Sequence, residues 1–184
     1  MATIRTFIAI APTEEVRQKI GQMIEDLKPH AQGIRWVKAE NLHLTLRFLG
    51  DVEESRMPEV HQAVVSAAGQ PFSIRPGALG AFPNVHRPRV LYVSLEGGLE
   101  ALLGLQHRVE DELVGRGFPR EDRPFAPHLT IGRAMRDRRG AINLPSISDP
   151  AVSDTVVREV LVMKSDLRPD GPIYTPMARV GLKE

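Results

Sequence analysis

Two short segments of the chain carry the same residues in the same order: His43-Leu44-Thr45-Leu46 and His128-Leu129-Thr130-Ile131. Six histidines and seven threonines scattered over 184 residues would give about 0.2 His-x-Thr triplets by composition alone. Two occur, each followed by an aliphatic residue. In an extended strand, residues i and i+2 point to one face. His43 then shares a face with Thr45, and His128 with Thr130, while the aliphatic residues between them face a core. Two imidazoles and two hydroxyls converging on one cleft suit in-line displacement at phosphorus. A neutral imidazole takes a proton from the attacking water, and a protonated one gives a proton to the leaving oxygen. An ordinary histidine pKa near 6.5 lets both states exist near neutrality. The threonine hydroxyls can donate to the non-bridging oxygens, where negative charge is held in the transition state.

A metal site is the rival reading of the same residues. Two histidines without a third ligand motif, without a His-x-x-x-His pair and without any cysteine make a thin coordination set. Neither a metal nor a cofactor is expected.

The elements that must hold these motifs are legible from periodicity. Thr3 to Ile10 alternates as a strand. Thr13 is placed to cap a helix carrying Val16, Ile20, Met23, Ile24 and Leu27, ended by Pro29. Ile34–Val37 and Leu42–Leu49 read as strands, the second closed by Gly50-Asp51. A helix is expected over Ser55–Ala68, an extended segment over Phe72–Leu79 and a strand over Val90–Leu95. Leu99–Val114 reads as a helix, His128–Ala134 as a strand and Met135–Gly140 as a basic loop. Val156–Ser165 and Ile173–Leu182 close the chain as strands.

The two motifs lie 85 residues apart. The same shift puts Phe7 on Tyr92, Ile8 on Val93 and Ile10 on Leu95, and Ile20 and Ile24 on Leu105 and Val109. Each half therefore reads strand, helix, short gap, His-x-Thr strand. Such an internal repeat points to two similar lobes facing each other. The length suits one domain, residues 1–184, built of those two lobes.

Taken together, the tetrads resemble the paired signatures of the 2H phosphoesterase superfamily. The chain is most similar to its RNA 2′,3′-cyclic phosphodiesterase family, also called 2′-5′ RNA ligase-like. The resemblance also takes in Arg5-Thr6-Phe7-Ile8-Ala9-Ile10, Phe82-Pro83 before Arg89-Val90-Leu91-Tyr92-Val93, and Ser165 to Tyr174. It implies an α+β, bilobal, pseudo-twofold fold with antiparallel sheets lining a central cleft. It implies metal-independent hydrolysis of RNA 2′,3′-cyclic phosphate ends, or of nucleotides carrying one, to 2′-phosphates. It assigns His43 as proton donor to the leaving oxygen and His128 as proton acceptor from water. Thr45 and Thr130 would bind the phosphate, and Arg133 is the arginine that similar proteins place against it.

Arg133 has the wrong strand parity for that role, unless Gly132 hosts a bulge that re-aims it. Arg47 has the right parity and is its rival. Phe48 could stack on a base or belong to the core. Reversible 2′-5′ ligation at the same site is the alternative chemistry, and a non-catalytic RNA-end-binding protein the alternative class.

The remaining features are modest. His61 and His107 read as surface residues of helices, and His30 has no partner in view. His86 and the run Arg133, Arg136, Arg138, Arg139 could approach RNA or be solvated loops. The basic side chains comprise 19 arginines and 5 lysines, yet the net charge is +1, which argues against a large general nucleic-acid surface. No apolar run approaches a membrane span, and the N-terminus lacks a signal peptide's apolar core. A cytoplasmic monomer with no obligate protein partner is the expectation.

Overall fold

The computed structural model describes residues 1–138, 142, 144–145 and 152–184. Nine strands and three α-helices alternate along the described chain: β1 (Thr3–Ile10), α1 (Glu14–Leu27), β2 (Ile34–Trp36), β3 (Leu44–Glu53), α2 (Met57–Ala67), β4 (Phe72–Phe82), β5 (Val90–Gly97), α3 (Leu99–Gly115), β6 (His128–Ala134), β7 (Thr155–Val157), β8 (Glu159–Asp166) and β9 (Ile173–Gly181). The Thr13 hydroxyl accepts the Val16 N–H at 3.4 Å, so the expected N-cap forms, and Glu14 and Glu15 occupy the positive end of the helix. None of the helices is long and apolar enough to cross a membrane.

The strand order is β7-β4-β5-β6-β3-β1-β8-β9, with β2 on the far part of β6, and every pairing is antiparallel. The order reads as two similar halves back to back, β4-β5-β6 and β3-β1-β8. A single register pair, Leu44 with Leu129, joins them at the centre. Those two leucines are equivalent under the 85-residue repeat, so the pseudo-twofold axis passes between them. The helices cover the apolar side, where Ile20 and Ile24 of α1 and Leu105 and Val109 of α3 are all buried. Each such side chain contributes about 1.5–3 kcal/mol by leaving water.

Three details differ from expectation. Gly50-Asp51 does not close β3: the strand runs on to Glu53, with Gly50 at φ +70° beside a register shift against β1. The turn-prone pair is absorbed as an irregularity inside the strand. Val156–Ser165 is not one strand but two. Arg158 breaks it, because β7 pairs with β4 in one half while β8 pairs with β1 in the other. One residue thus links β7, at one end of this sheet path, to β8, next to the other end, which requires the sheet to curl strongly, consistent with strand twist accumulating across it. Finally, the repeat in β1 and β5 is offset by two. Ala9 opposes Thr45, and Tyr92 opposes Thr130, so Tyr92 corresponds to Ala9 and not to Phe7. A slip of two preserves the inward and outward alternation, so apolar pattern alone does not detect it.

Candidate active site

The Leu44–Leu129 pair sets the geometry of the chemistry. Continuing that antiparallel register places His43 opposite Thr130 and Thr45 opposite His128, with all four polar side chains on one face. Both histidines and both threonines are half-buried, whereas Leu44, Leu46, Leu129 and Ile131 are buried. The four sequence-designated side chains are therefore brought together across the pseudo-twofold axis.

Each imidazole is fixed in the same way. His43 Nδ1 lies 2.7 Å from the Asn41 carbonyl oxygen, and His128 Nδ1 lies 2.6 Å from that of Ala126. A carbonyl only accepts, so each Nδ1 carries the hydrogen and each Nε2 is left for a substrate. Asn41 and Ala126 are again 85 residues apart. The threonine hydroxyls have no hydrogen-bond partner among the described residues, which leaves them for oxygens of a ligand.

The packing around the rings is not symmetric. His43 sits against Phe7 of β1 and edge-on to Tyr174 of β9, with ring centroids 4.8 and 5.1 Å away. His128 sits against Phe82 of β4 and Tyr92 of β5, at 5.4 and 5.5 Å. Sequence reasoning gave these four aromatics no part in the site. Their only signal was membership of the segments that carry the family resemblance. They pack against the imidazoles, Phe7 tilted at 38° and the other three edge-on, and use no hydrogen-bonding atom of the rings.

Burial lowers the His43 pKa below its ordinary value of 6.5. The Asn41 carbonyl opposes the shift, and the nearby charges of Arg133 and His128 add to it. Burial also pushes the Tyr174 phenol up, with Arg133 and Arg5 acting the other way, so it stays neutral. Arg133 is thus within electrostatic reach of His43 and of Tyr174, across the seam between the halves.

A β-bulge puts Arg133 there. Leu91 opposes Gly132 and Tyr92 opposes Thr130, so Ile131 is skipped in the register. The bulge reverses the alternation, and Arg133, opposite Val90, returns to the His128 face. Gly132 is required on the buried side: a Cβ there would lie 2.7 Å from Ile34 and 3.2 Å from Trp36 of β2. The first motif has the same bulge. Ile8 opposes Arg47 and Ala9 opposes Thr45, with Leu46 skipped. Arg47 therefore turns inward, against its simple parity, and is only 7 % exposed. It faces Glu110 of α3 at 2.7 Å and Glu121 at 3.1 Å, and donates to the carbonyls of Phe48, at 3.0 Å, and Pro119. Arg47 is a tie between β3, α3 and the segment leading to His128, turned inward, whereas Arg133 is exposed. The position equivalent to Arg133 is Phe48, which is exposed on the cleft side with the Arg5 guanidinium 4.7 Å above its ring.

His30, His61, His86 and His107 are exposed and stand outside this cluster. Arg139 lies outside the described residues. No group of three His, Cys, Asp or Glu placed to hold a metal ion occurs among the described residues.

Residues 10–92, which include the first motif, match the family model described as LigT like Phosphoesterase. A relative from Archaeoglobus fulgidus, an RNA 2′,3′-cyclic phosphodiesterase, is 33 % identical over 172 residues, spanning 93 % of this chain and 96 % of that protein. Among solved structures, the Thermus thermophilus protein TT0787 superposes with a TM-score of 0.75 at 30 % identity, covering 97 % of this chain and 98 % of that one. E. coli LigT, in a complex with 3′-AMP, superposes with a TM-score of 0.81 at 25 % identity, covering 99 % of each chain. The relatives match over nearly the whole length of both chains, and the solved structures share the fold: the chain belongs to the LigT-like phosphoesterase family.

Proposed function

We propose that the protein hydrolyses RNA 2′,3′-cyclic phosphate ends to 2′-phosphates, with His43 as general acid and His128 as general base. The observation that carries this is the pairing of two imidazoles on one cleft face, each tied by Nδ1 to the carbonyl two residues earlier, with both Nε2 atoms free. The names of the relatives supply the substrate class, and E. coli LigT, which has the same fold, is found in a complex with the phosphorylated ribose 3′-AMP.

Water attacks phosphorus as its proton passes to His128 Nε2. The P–O3′ bond breaks on the opposite side, and O3′ takes the proton from His43 Nε2. The product is a 2′-phosphate beside a free 3′-hydroxyl, and the two histidines exchange their extra proton through solvent. His43 rests neutral because burial disfavours its charge. The entering phosphodiester anion favours protonation, and the same burial then makes the proton easy to give up. Thr45, Thr130 and Arg133 hold the non-bridging oxygens, the arginine in the planar fork that suits phosphate. Phe48 offers a ring on which a base can stack.

The test is an RNA ending in 2′,3′-cyclic phosphate, incubated with the protein in EDTA. Ring opening to a monoester is expected. No turnover, or turnover only on adding a divalent metal, contradicts the reading.

A further inference from the structure

A groove of about 710 Å³ lies outside the cleft, larger than the one of about 410 Å³ that reaches His43. One wall is Arg87-Pro88-Arg89, before β5. The other runs from Ala134, at the end of β6, through Arg136 to Arg138. The first wall is built rather than loose. Asn84 Oδ1 accepts the N–H groups of His86 and Arg87 at 3.1 and 3.0 Å, and the Arg89 N–H donates to the Phe82 carbonyl at 2.7 Å. The two walls are joined where the Ala134 N–H donates to the Arg89 carbonyl at 2.9 Å.

The charge here is unbalanced. Elsewhere arginines such as Arg56, Arg75 and Arg179 face carboxylates. Among the described residues, Arg87, Arg89 and Arg136 face none, and the Arg138 guanidinium donates to the Gln32 carbonyl, at 3.2 Å, rather than to a carboxylate. A second, independent observation sits where the groove meets the cleft. Arg35 of β2 stands directly opposite Arg133, and both are exposed. Like charges directly opposed across strands are destabilising. The arrangement is costly in the empty protein and suits a bound polyanion.

We propose that this groove holds the phosphodiester backbone of the RNA leading to the cyclic end, so that the protein acts on RNA chains in preference to cyclic mononucleotides. This rests on the reading that the cleft hydrolyses such ends. The groove begins one residue beyond Arg133 on β6. It lies roughly 20 Å along the strand from His128 at about 3.3 Å per residue. Several nucleotides span that distance at about 3.4 Å per stacked base. Contacts to phosphate carry no sequence information, so the preference is for length and not for base.

The experiment compares two substrates, an RNA of about ten nucleotides ending in 2′,3′-cyclic phosphate and a 2′,3′-cyclic mononucleotide. They are tested on the intact protein and on the Arg87→Gln, Arg89→Gln, Arg136→Gln triple variant. For the RNA, kcat/KM should fall at least about tenfold, through KM. The slope of log kcat/KM against log salt should become shallower by about 2, since each single-strand phosphate contact contributes about 0.7. For the mononucleotide, kcat/KM should be unchanged. Equal losses on both substrates, or an unaltered salt slope on RNA, overturn the groove. If the unaltered protein turns over neither substrate, the hydrolase reading itself has failed, which is a separate result.

Discussion

Leu44 and Leu129 oppose each other in the one register pair that joins the two halves of the sheet, and they are the same position of the two motifs. The consequence is chemical. An antiparallel pair on a pseudo-twofold axis necessarily sets each motif's histidine opposite the other motif's threonine. Both imidazoles then share one face, on diagonal neighbours whose Cα atoms are about 7–8 Å apart. In the proposed mechanism a phosphodiester lies between them, with one imidazole on each side. The leucines hold that spacing from beneath, each buried to within a few per cent.

His43→Ala and His128→Ala should each lower kcat by at least about 10²-fold while leaving the fold intact, because each removes one proton transfer. The two act on one transition state, so the double variant should lose much less than the product of the single losses. Single-turnover rates and circular dichroism on all three variants provide the check. Near-normal turnover in either single variant removes that histidine from the mechanism.

The depressed pKa of His43 has a sign that can be followed. Burial is its main cause and Arg133 a contributor. Arg133→Gln should therefore move the His43 titration, followed by NMR of its ring protons, up toward 6.5. A downward move contradicts the arrangement. The same shift bears on stability. The unfolded chain titrates at the ordinary value of 6.5 and the folded one lower, so on acidification the unfolded state binds the proton first. The stability contribution is whole above 6.5 and is lost as pH falls through the folded pKa. The fall of Tm with acidification should thus be shallower in His43→Asn than in the unaltered protein.

Arg47 should behave as a structural residue. Arg47→Met leaves Glu110 buried and without its cation, at a cost of about 3–5 kcal/mol, and Arg47→Met with Glu110→Met should recover much of it. At a temperature where the single variant is folded, its KM for cyclic-phosphate RNA should be close to normal. Urea unfolding and steady-state kinetics separate the two effects. A raised KM in a fully folded variant would return Arg47 to the substrate.

Much of this site was legible before any coordinates, and the reasons are specific. The His-x-Thr tetrads announce themselves because a strand's period of two keeps His43 with Thr45 and His128 with Thr130. Helices α1 and α3 follow from spacing and caps. What could not be read is register. Skipping Leu46 and Ile131 leaves the local pattern intact, yet it turns Arg47 inward and Arg133 outward. Of the two arginines, only the one beside a glycine carried a hint. The break at Arg158 was hidden for a similar reason: Val156 and Val157 before it and Val160 to Val162 after it are all apolar, and only the partner, β4 or β1, distinguishes the two strands. The aromatic walls at Phe7, Tyr174, Phe82 and Tyr92 come from four separate strands, a convergence that no local window contains.

The central claim is that His43 protonates O3′ while His128 activates water, and the terminal phosphate reports it directly. A 2′,3′-cyclic phosphate offers two leaving oxygens of similar intrinsic reactivity, and the alignment of the protonated imidazole with one of them decides which bond breaks. An RNA ending in 2′,3′-cyclic phosphate should be converted in EDTA and then digested with a phosphatase selective for 3′-phosphates. The account predicts a product that resists digestion, because it carries a 2′-phosphate and a free 3′-hydroxyl. Ready release of inorganic phosphate would contradict it, since the two histidines would then hold each other's roles.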